Sequence, residues 1–143
     1  MSRVKIDYGI DLGTTNTAIA RMEKGKAVIK KNEDFGHDTT PSAVTYTNKK
    51  TIKVGTDALV ALKKESIIAA KEKDSTLINS FVEFKRTMGS KASYKSKNMG
   101  KSYLSEDLSA EILKKMKLNC RDETIHSVVI TIPAMFKGAQ CDA

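Results

Sequence analysis

The segment Asp11-Leu12-Gly13-Thr14-Thr15-Asn16-Thr17 decides the fold of this chain, because it joins a buried-type strand to a tight polar turn. Ile6 and Tyr8 alternate with polar neighbours before it, a pattern that predicts a strand. An aspartate at the end of a strand lies at the rim of a sheet, where its carboxylate suits Mg²⁺ bound through waters. Successive N–H groups in a tight turn form an anion-binding concavity, and Gly13 lets a ligand approach the backbone closely. The segment therefore fits either a nucleotide phosphate loop or an ordinary Thr/Asn hairpin turn.

Short strands surround this turn. Apolar runs at 18–22 and 27–29, joined by a Lys-Gly turn, predict that the first three strands form an antiparallel meander. Residues 42–46 and 51–54 predict a small hairpin. The run at 127–132 is almost entirely β-branched, which is typical of a strand buried on both faces and ended by Pro133.

Helical patterns lie between these strands. Residues 56–64 predict a helix with one apolar face, and 82–88 predict a short helix or turn that ends at Gly89. Residues 106–118 give the clearest helix, with Ser105 as the expected N-cap and apolar side chains recurring every four residues. Another helix is expected to start near Phe136. The abrupt end at 142–143 suggests a fragment.

Composition excludes several classes of protein. The 143 residues are 40% apolar, enough for a core, and contain no apolar run long enough to span a membrane and no secretory signal. The two cysteines, Cys120 and Cys141, have no zinc-like spacing, and no Asn-x-Ser/Thr acceptor occurs. These features favour a reducing, cytoplasmic compartment.

The net charge of +8 lies in one block. Residues 43–101 hold 13 basic and 5 acidic side chains, and the remainder is balanced. The basic residues are mostly lysine, and aromatic residues make up only 6% of the chain. Because nucleic-acid binding sites commonly use arginine and stacking aromatic side chains, the block is expected to be a solvated surface. The alternative is a polyanion-binding module, whose affinity would fall steeply with salt.

Common catalytic motifs are absent from the sequence. It contains no Walker-type loop, no Gly-x-Gly-x-x-Gly and no His-Glu-x-x-His, and His37 and His126 stand alone as ordinary polar residues. Lys85, flanked by apolar residues, could project toward a phosphate site. By spacing alone, a surface lysine is the better interpretation.

Six segments in order resemble the 70-kDa heat-shock chaperones of the DnaK type. Residues 9–16 are similar to the first phosphate loop of that family and Thr39-Thr40-Pro41-Ser42 to its next signature. The other four are Val54-Gly55, the lysine segment 79–89, the helix at 105–116 and the strand at 128–136. The helix segment begins with Leu-Ser-Glu-Asp, which is similar to a Tyr/Ser-Pro-Glu-Glu-type cap. A sugar kinase or an actin-like filament protein could share the first loop but not the ordered set. The chain is thus identified as the N-terminal part of the family's nucleotide-binding domain.

The resemblance implies roles for particular residues. Asp11 would position Mg²⁺ through water, and Lys85 would be catalytic, orienting the attacking water and stabilising charge on the γ-phosphate. Pro133 would be the switch that relays the nucleotide state. The residues that would contact ATP or ADP are Gly13, Thr14, Thr15 and Asn16.

The sequence also departs from the family pattern. Cys141 stands where the family usually has the arginine of its relay, which puts interdomain signalling in doubt. Residues 66–76 differ from the usual Asn-Pro-containing segment. The second phosphate loop, the adenosine site and the catalytic acids of the other lobe are not in this sequence.

The implied fold is α/β, a partial actin-like, ribonuclease-H-like ATPase lobe with a mixed sheet and a small α/β upper subdomain. Within lobe I, residues 1–38 and 120–143 would form the core sheet subdomain and 39–119 the upper subdomain. The full-length protein would be an ATPase that drives cycles of unfolded-polypeptide binding and release. The fragment alone is expected to be inactive, because it supplies one wall of the cleft. A degenerate relative that binds nucleotide or a partner without turnover is the alternative.

The expected partners follow from the same resemblance. They are unfolded polypeptides, bound through a missing C-terminal domain, a J-domain co-chaperone and a nucleotide-exchange factor. Neither nucleic acid nor a membrane is expected as a partner.

Overall fold

The computed structural model describes residues 7–121 and 124–143. Within these ranges the chain is a mixed α/β protein, and the described strands form a five-stranded sheet, a three-stranded sheet and a two-stranded hairpin. The strands are β1 (Tyr8–Leu12), β2 (Asn16–Glu23), β3 (Lys26–Ile29), β4 (Thr40–Pro41), β5 (Ala43–Tyr46), β6 (Ile52–Val54), β7 (Ser80–Val82), β8 (Tyr94–Ser96), β9 (Lys101–Tyr103) and β10 (Val128–Thr131).

Helical segments lie between these strands and after the last of them. They are α1 (Thr56–Glu72), α2 (Ser105–Leu118) and the short α3 (Gly138–Cys141), with 3₁₀ turns at Ser75–Leu77 and Phe84–Thr87. The second 3₁₀ turn is called the Lys85 turn below. None of the helices in the described ranges is both long and apolar enough to cross a bilayer.

The first sheet has the order β10-β1-β2-β3, with β4 also paired to β2. The β1–β2–β3 meander is antiparallel, as predicted, whereas β10 runs parallel to β1 with Asp11 opposite Thr131. Alternate β1 side chains (Tyr8, Ile10 and Leu12) are buried, while Gly9 and Asp11 face outward. Period-two burial of this kind holds Asp11 on the exposed face at the end of the strand.

The predicted 42–46 and 51–54 hairpin is confirmed as β5 and β6, and β7 pairs with the other edge of β5. Leu108, Ile112 and Met116 of α2 are completely buried, and their hydrophobic cluster includes side chains from both larger sheets. The two predicted subdomains therefore share core residues. Their boundaries at 38–39 and 119–120 stay a prediction.

The predicted α1, 56–64, is too short, since the helix continues to Glu72. Its buried contacts are Ala58 and Ala69, small residues that let the helix pack closely without a large apolar stripe. The helix ends at Lys73, which adopts the left-handed conformation with φ 52° and donates its N–H to Ala69. The apolar pattern did not predict the second half of α1, because Ile67 and Ile68 are exposed and do not continue the buried face of the helix.

The start of α2 also differs from the prediction. Leu104, not Ser105, is the N-cap, and its N–H donates to the Asp107 carboxylate at 2.8 Å. Ser105 is the first helical residue, and its hydroxyl points away from the helix end to the Phe84 carbonyl. Because Ser105 is already inside the helix, it does not occupy the capping position, and its hydroxyl bonds to a segment outside the helix.

The prediction that 127–132 is buried on both faces is wrong. In β10, Val128, Val129 and Ile130 are 41%, 47% and 37% exposed. Among the described strands β10 pairs only with β1, at the edge of the sheet. A β-branched run reports strand propensity, but its burial depends on what covers the sheet.

The β8–β9 hairpin was not predicted. Tyr94 pairs with Tyr103, and the connection ends at Gly100, which has a φ of 69°. The turn residues Asn98-Met99-Gly100 are the signal that could have revealed it.

Candidate functional site

The turn between β1 and β2 is closed so tightly that only glycine fits at its start. A Cβ atom on Gly13 would lie 2.0 Å from the Asn16 carbonyl oxygen. Thr14 is half-buried, while Thr15 and Asn16 are exposed. The turn, called the Gly13 turn below and comprising residues 13–15, thus presents backbone and hydroxyl groups to solvent at the end of β1.

Ser42 braces the Gly13 turn from outside. Its hydroxyl donates to the Gly13 carbonyl at 2.7 Å, and its backbone N–H donates to the Thr15 carbonyl at 2.8 Å. The Thr17 and Ser42 hydroxyls, both buried, lie 2.9 Å apart. The sequence singled out residues 39–42 only through a family resemblance. Their geometry shows that this segment fixes the shape of the turn.

Asp11 lies at the same rim. The Thr131 hydroxyl donates to its Oδ1 atom at 2.8 Å across the parallel β1–β10 pair. The carboxylate is otherwise open to solvent. One oxygen is oriented by Thr131, and the group as a whole is accessible to a hydrated cation.

Lys85 is buried at this edge, with 6% of its surface exposed. Its ammonium group donates to the Leu12 carbonyl, the last residue of β1, although 73 positions separate the two residues in sequence. Phe136 lies beneath it, with the ring centroid 5.5 Å from Nζ. The interpretation of Lys85 as a surface lysine is therefore wrong.

Burial also changes the protonation of Lys85. Desolvation lowers the pKa of its ammonium group below the usual value, and the nearby Asp11 carboxylate opposes that shift. The two effects have opposite sign because burial disfavours a charge while an opposite charge favours it. Asp11, the Gly13 turn and Lys85 are thus brought together.

Pro133 lies close to this assembly in the chain. Its carbonyl accepts the Phe136 N–H at 3.0 Å, forming the turn that leads to the Phe136 ring beside Lys85.

Gly89, at the end of the lysine segment, has a φ of 70°, and a Cβ there would lie 2.5 Å from the Ala139 carbonyl oxygen. Cys141 is exposed on α3. The signalling role of Pro133 stays a prediction.

The donor set at this edge fits phosphate oxygens and a hydrated Mg²⁺. Mg²⁺ keeps several waters and is held by one or two carboxylates together with substrate phosphates, so the single exposed Asp11 is a suitable ligand. No cluster of three or more His, Cys, Asp or Glu side chains is found in residues 7–121 and 124–143.

A concave surface elsewhere lacks this chemistry. A cavity of about 560 Å³ between the 3₁₀ turn at Ser75–Leu77 and the β8–β9 hairpin is lined by Ser75, Thr76, Lys95, Ser96, Lys97 and Gly100. It shares no lining residue with the Asp11–Lys85 edge and has no carboxylate. Size alone does not make it the better candidate.

Comparison with known proteins shows the family of the chain. The model of the family described as "Hsp70 protein" matches residues 7–143. A curated relative, "Chaperone protein dnaK" from Emiliania huxleyi, is 35% identical over 159 aligned positions, which cover 94% of this chain and 24% of the relative. The chain thus spans about a quarter of the length of that relative. The predicted resemblance is confirmed, and the chain belongs to the Hsp70 family.

Proposed function

We propose that this chain supplies one wall of an ATP-hydrolysing site in an ATP-dependent molecular chaperone. In this proposal the α/β unit is part of an actin-like, ribonuclease-H-like lobe. The full protein would use ATP turnover to drive binding and release of unfolded polypeptides, with a J-domain co-chaperone and a nucleotide-exchange factor as partners. The 143 residues alone would have little activity, because positioning and electrostatics from the opposite wall are required.

The observation that carries the proposal is the burial of Lys85 against the end of β1. Burying a charged ammonium group costs free energy, so a buried lysine beside the Gly13 turn needs an explanation that an exposed lysine would not. Binding of an anion at this position is such an explanation. An anionic phosphate beside it would favour the charged form and offset the desolvation.

Each residue has a distinct part in the proposed site. The backbone N–H groups and hydroxyls of Gly13, Thr14, Thr15 and Asn16 would bind the β- and γ-phosphates. Lys85 would hold the attacking water and stabilise charge developing on the γ-phosphate. Asp11 would hold Mg²⁺ through water, and that ion, when bound, supplies further neutralisation of phosphate charge.

Lys85→Ala in the full protein tests the proposal. Single-turnover hydrolysis is expected to fall at least about 100-fold, while ATP affinity changes less than about threefold, because the lysine acts mainly on the transition state. Lys64→Ala, which removes an exposed lysine on α1, is the matched control and should leave both quantities unchanged.

Unchanged single-turnover hydrolysis in a folded Lys85→Ala protein would refute the proposed role of the lysine. If the unaltered full protein binds ATP but does not hydrolyse it, the alternative of a degenerate relative holds instead.

A further inference from the structure

We propose that Ser105 is a positioning residue for Lys85, because its buried hydroxyl ties the Lys85 turn to the first turn of α2. The catalytic consequence of this tether rests on the proposed function, whereas the tether itself does not. Nothing in the sequence pattern pointed to Ser105 for this task, since it was expected to cap α2.

The bond is short, buried and placed next to the lysine. Ser105 is 1% exposed, and its Oγ donates to the Phe84 carbonyl at 2.5 Å. That carbonyl belongs to the peptide group that joins Phe84 to Lys85. Because a peptide group is planar, fixing its oxygen also fixes the direction in which the chain enters Lys85.

A second bond holds the chain just after the turn. The Glu106 carboxylate accepts the Gly89 N–H at 3.1 Å. Two consecutive residues of α2 thus hold the chain at Phe84, where the Lys85 turn begins, and at Gly89, two residues after it ends. Thr87 also donates to the Phe84 carbonyl, at 2.8 Å, but this bond lies within the turn and cannot orient it relative to the rest of the protein.

The turn needs an external tether because its entry is strained. Glu83, two residues before Lys85, has a φ of 54°, a left-handed conformation that non-glycine residues rarely adopt. Such a conformation persists only when the surroundings hold it. Phe84 contributes a core contact, which has little directionality, whereas a hydroxyl-to-carbonyl bond fixes orientation.

The helix that carries Ser105 is a rigid anchor. Leu108, Ile112 and Met116 of α2 are fully buried in the core. The hydroxyl-to-carbonyl bond therefore joins the Lys85 turn to a part of the molecule that is fixed by core packing.

Chemical labelling of Lys85 in the full protein tests the tether. The rate of amine labelling at Lys85, read by mass spectrometry at fixed pH, is expected to rise at least about threefold in Ser105→Ala, because the released turn opens more often. Ser105→Thr keeps the hydroxyl and should label at the original rate. Lys115, whose side chain is 16% exposed and paired with Asp34, reports any general loosening in the same sample.

Two further variants separate the bond from helix stability. Ser109→Ala removes a buried hydroxyl one turn later in α2 that has no hydrogen-bond partner among the described residues, so Lys85 labelling should not change. Ser105→Pro removes the tether with a residue that suits the first helical position and follows an extended Leu104, so the variant should fold even if Ser105→Ala does not. Lys85 in Ser105→Pro is expected to be labelled at least about three times faster than in the original protein.

Equal Lys85 labelling in the original protein and in folded Ser105→Ala or Ser105→Pro would overturn the inference, as would a parallel rise at Lys115. In hydrolysis, either variant should lower the single-turnover rate about tenfold and change ATP affinity less than about twofold. If Lys85→Ala leaves hydrolysis unchanged, the proposed function fails, but the labelling rates still decide whether Ser105 positions Lys85.

Discussion

At the scale of single residues, the candidate site depends on where side-chain atoms are missing as much as on where they are present. Gly13 leaves no room for a methyl group, because the Asn16 carbonyl oxygen lies where a Cβ atom would be. Ser42 then holds the turn through two hydrogen bonds. The shape of the turn is therefore built in before any ligand binds.

Gly13→Ala should lower the free energy of unfolding by about 2 kcal/mol or more, since the added methyl must displace the Asn16 carbonyl. It should also weaken ATP binding in the full protein. Gly9→Ala is the matched control, because a Cβ on that β1 residue meets no atom within 4 Å. Urea unfolding of the two variants makes the comparison, and equal stability would contradict the steric argument.

At the scale of elements, α2 links the core to the Lys85 turn. One of its faces carries Leu108, Ile112 and Met116 into the core, and its first turn holds Phe84 and Gly89. A helix fixed along its length by apolar packing is a stable base for the four-residue 3₁₀ turn that carries Lys85. Substitutions on the buried face of α2 should therefore also disturb the position of the Lys85 turn.

Ile112→Ala should cost about 2–5 kcal/mol in the free energy of unfolding, because it opens a cavity in a fully buried position. Leu118→Ala, at a residue that is 54% exposed on the same helix, should change stability by about 0.5 kcal/mol or less. Chemical denaturation monitored by circular dichroism measures both. Similar losses for the two variants would mean that α2 is not the anchor described here.

At the scale of the whole molecule, the burial of Lys85 is produced by parts of the chain that are distant in sequence. The end of β1, the Lys85 turn and Phe136 together remove water from its ammonium group. The resulting decrease in the pKa of Lys85 ties the stability of the entire chain to pH.

The sign of that dependence can be predicted. Because the folded pKa of Lys85 lies below its ordinary value of 10.5, the folded state binds fewer protons than the unfolded state between the two values. The destabilising contribution of the charged lysine is complete below the folded pKa and is relieved as pH rises toward 10.5. The original protein should therefore gain stability relative to Lys85→Met across that window.

Denaturant unfolding of both proteins at a series of pH values up to about 11 measures this difference. Lys63→Met, at an exposed position on α1, should show no such trend. A constant stability difference between the original protein and Lys85→Met over the whole range would contradict the assigned pKa shift.

The local pattern of the sequence by itself determined the β1–β2–β3 meander, the β5–β6 hairpin and most of α2. It also placed Asp11 and the Gly13 turn at a sheet rim, because strand alternation and turn chemistry act over a few residues. Family resemblance added Lys85 as a candidate that spacing alone did not favour.

Only the tertiary structure decided which distant residues meet and which apolar residues are covered. It brought Lys85 to the Leu12 carbonyl, exposed β10, extended α1 through alanine contacts and turned the Ser105 hydroxyl from capping to tethering. Each of these outcomes depends on packing between segments separated along the chain. Burial and long-range hydrogen bonds are set by the neighbours that folding supplies, and local pattern carries no information about them.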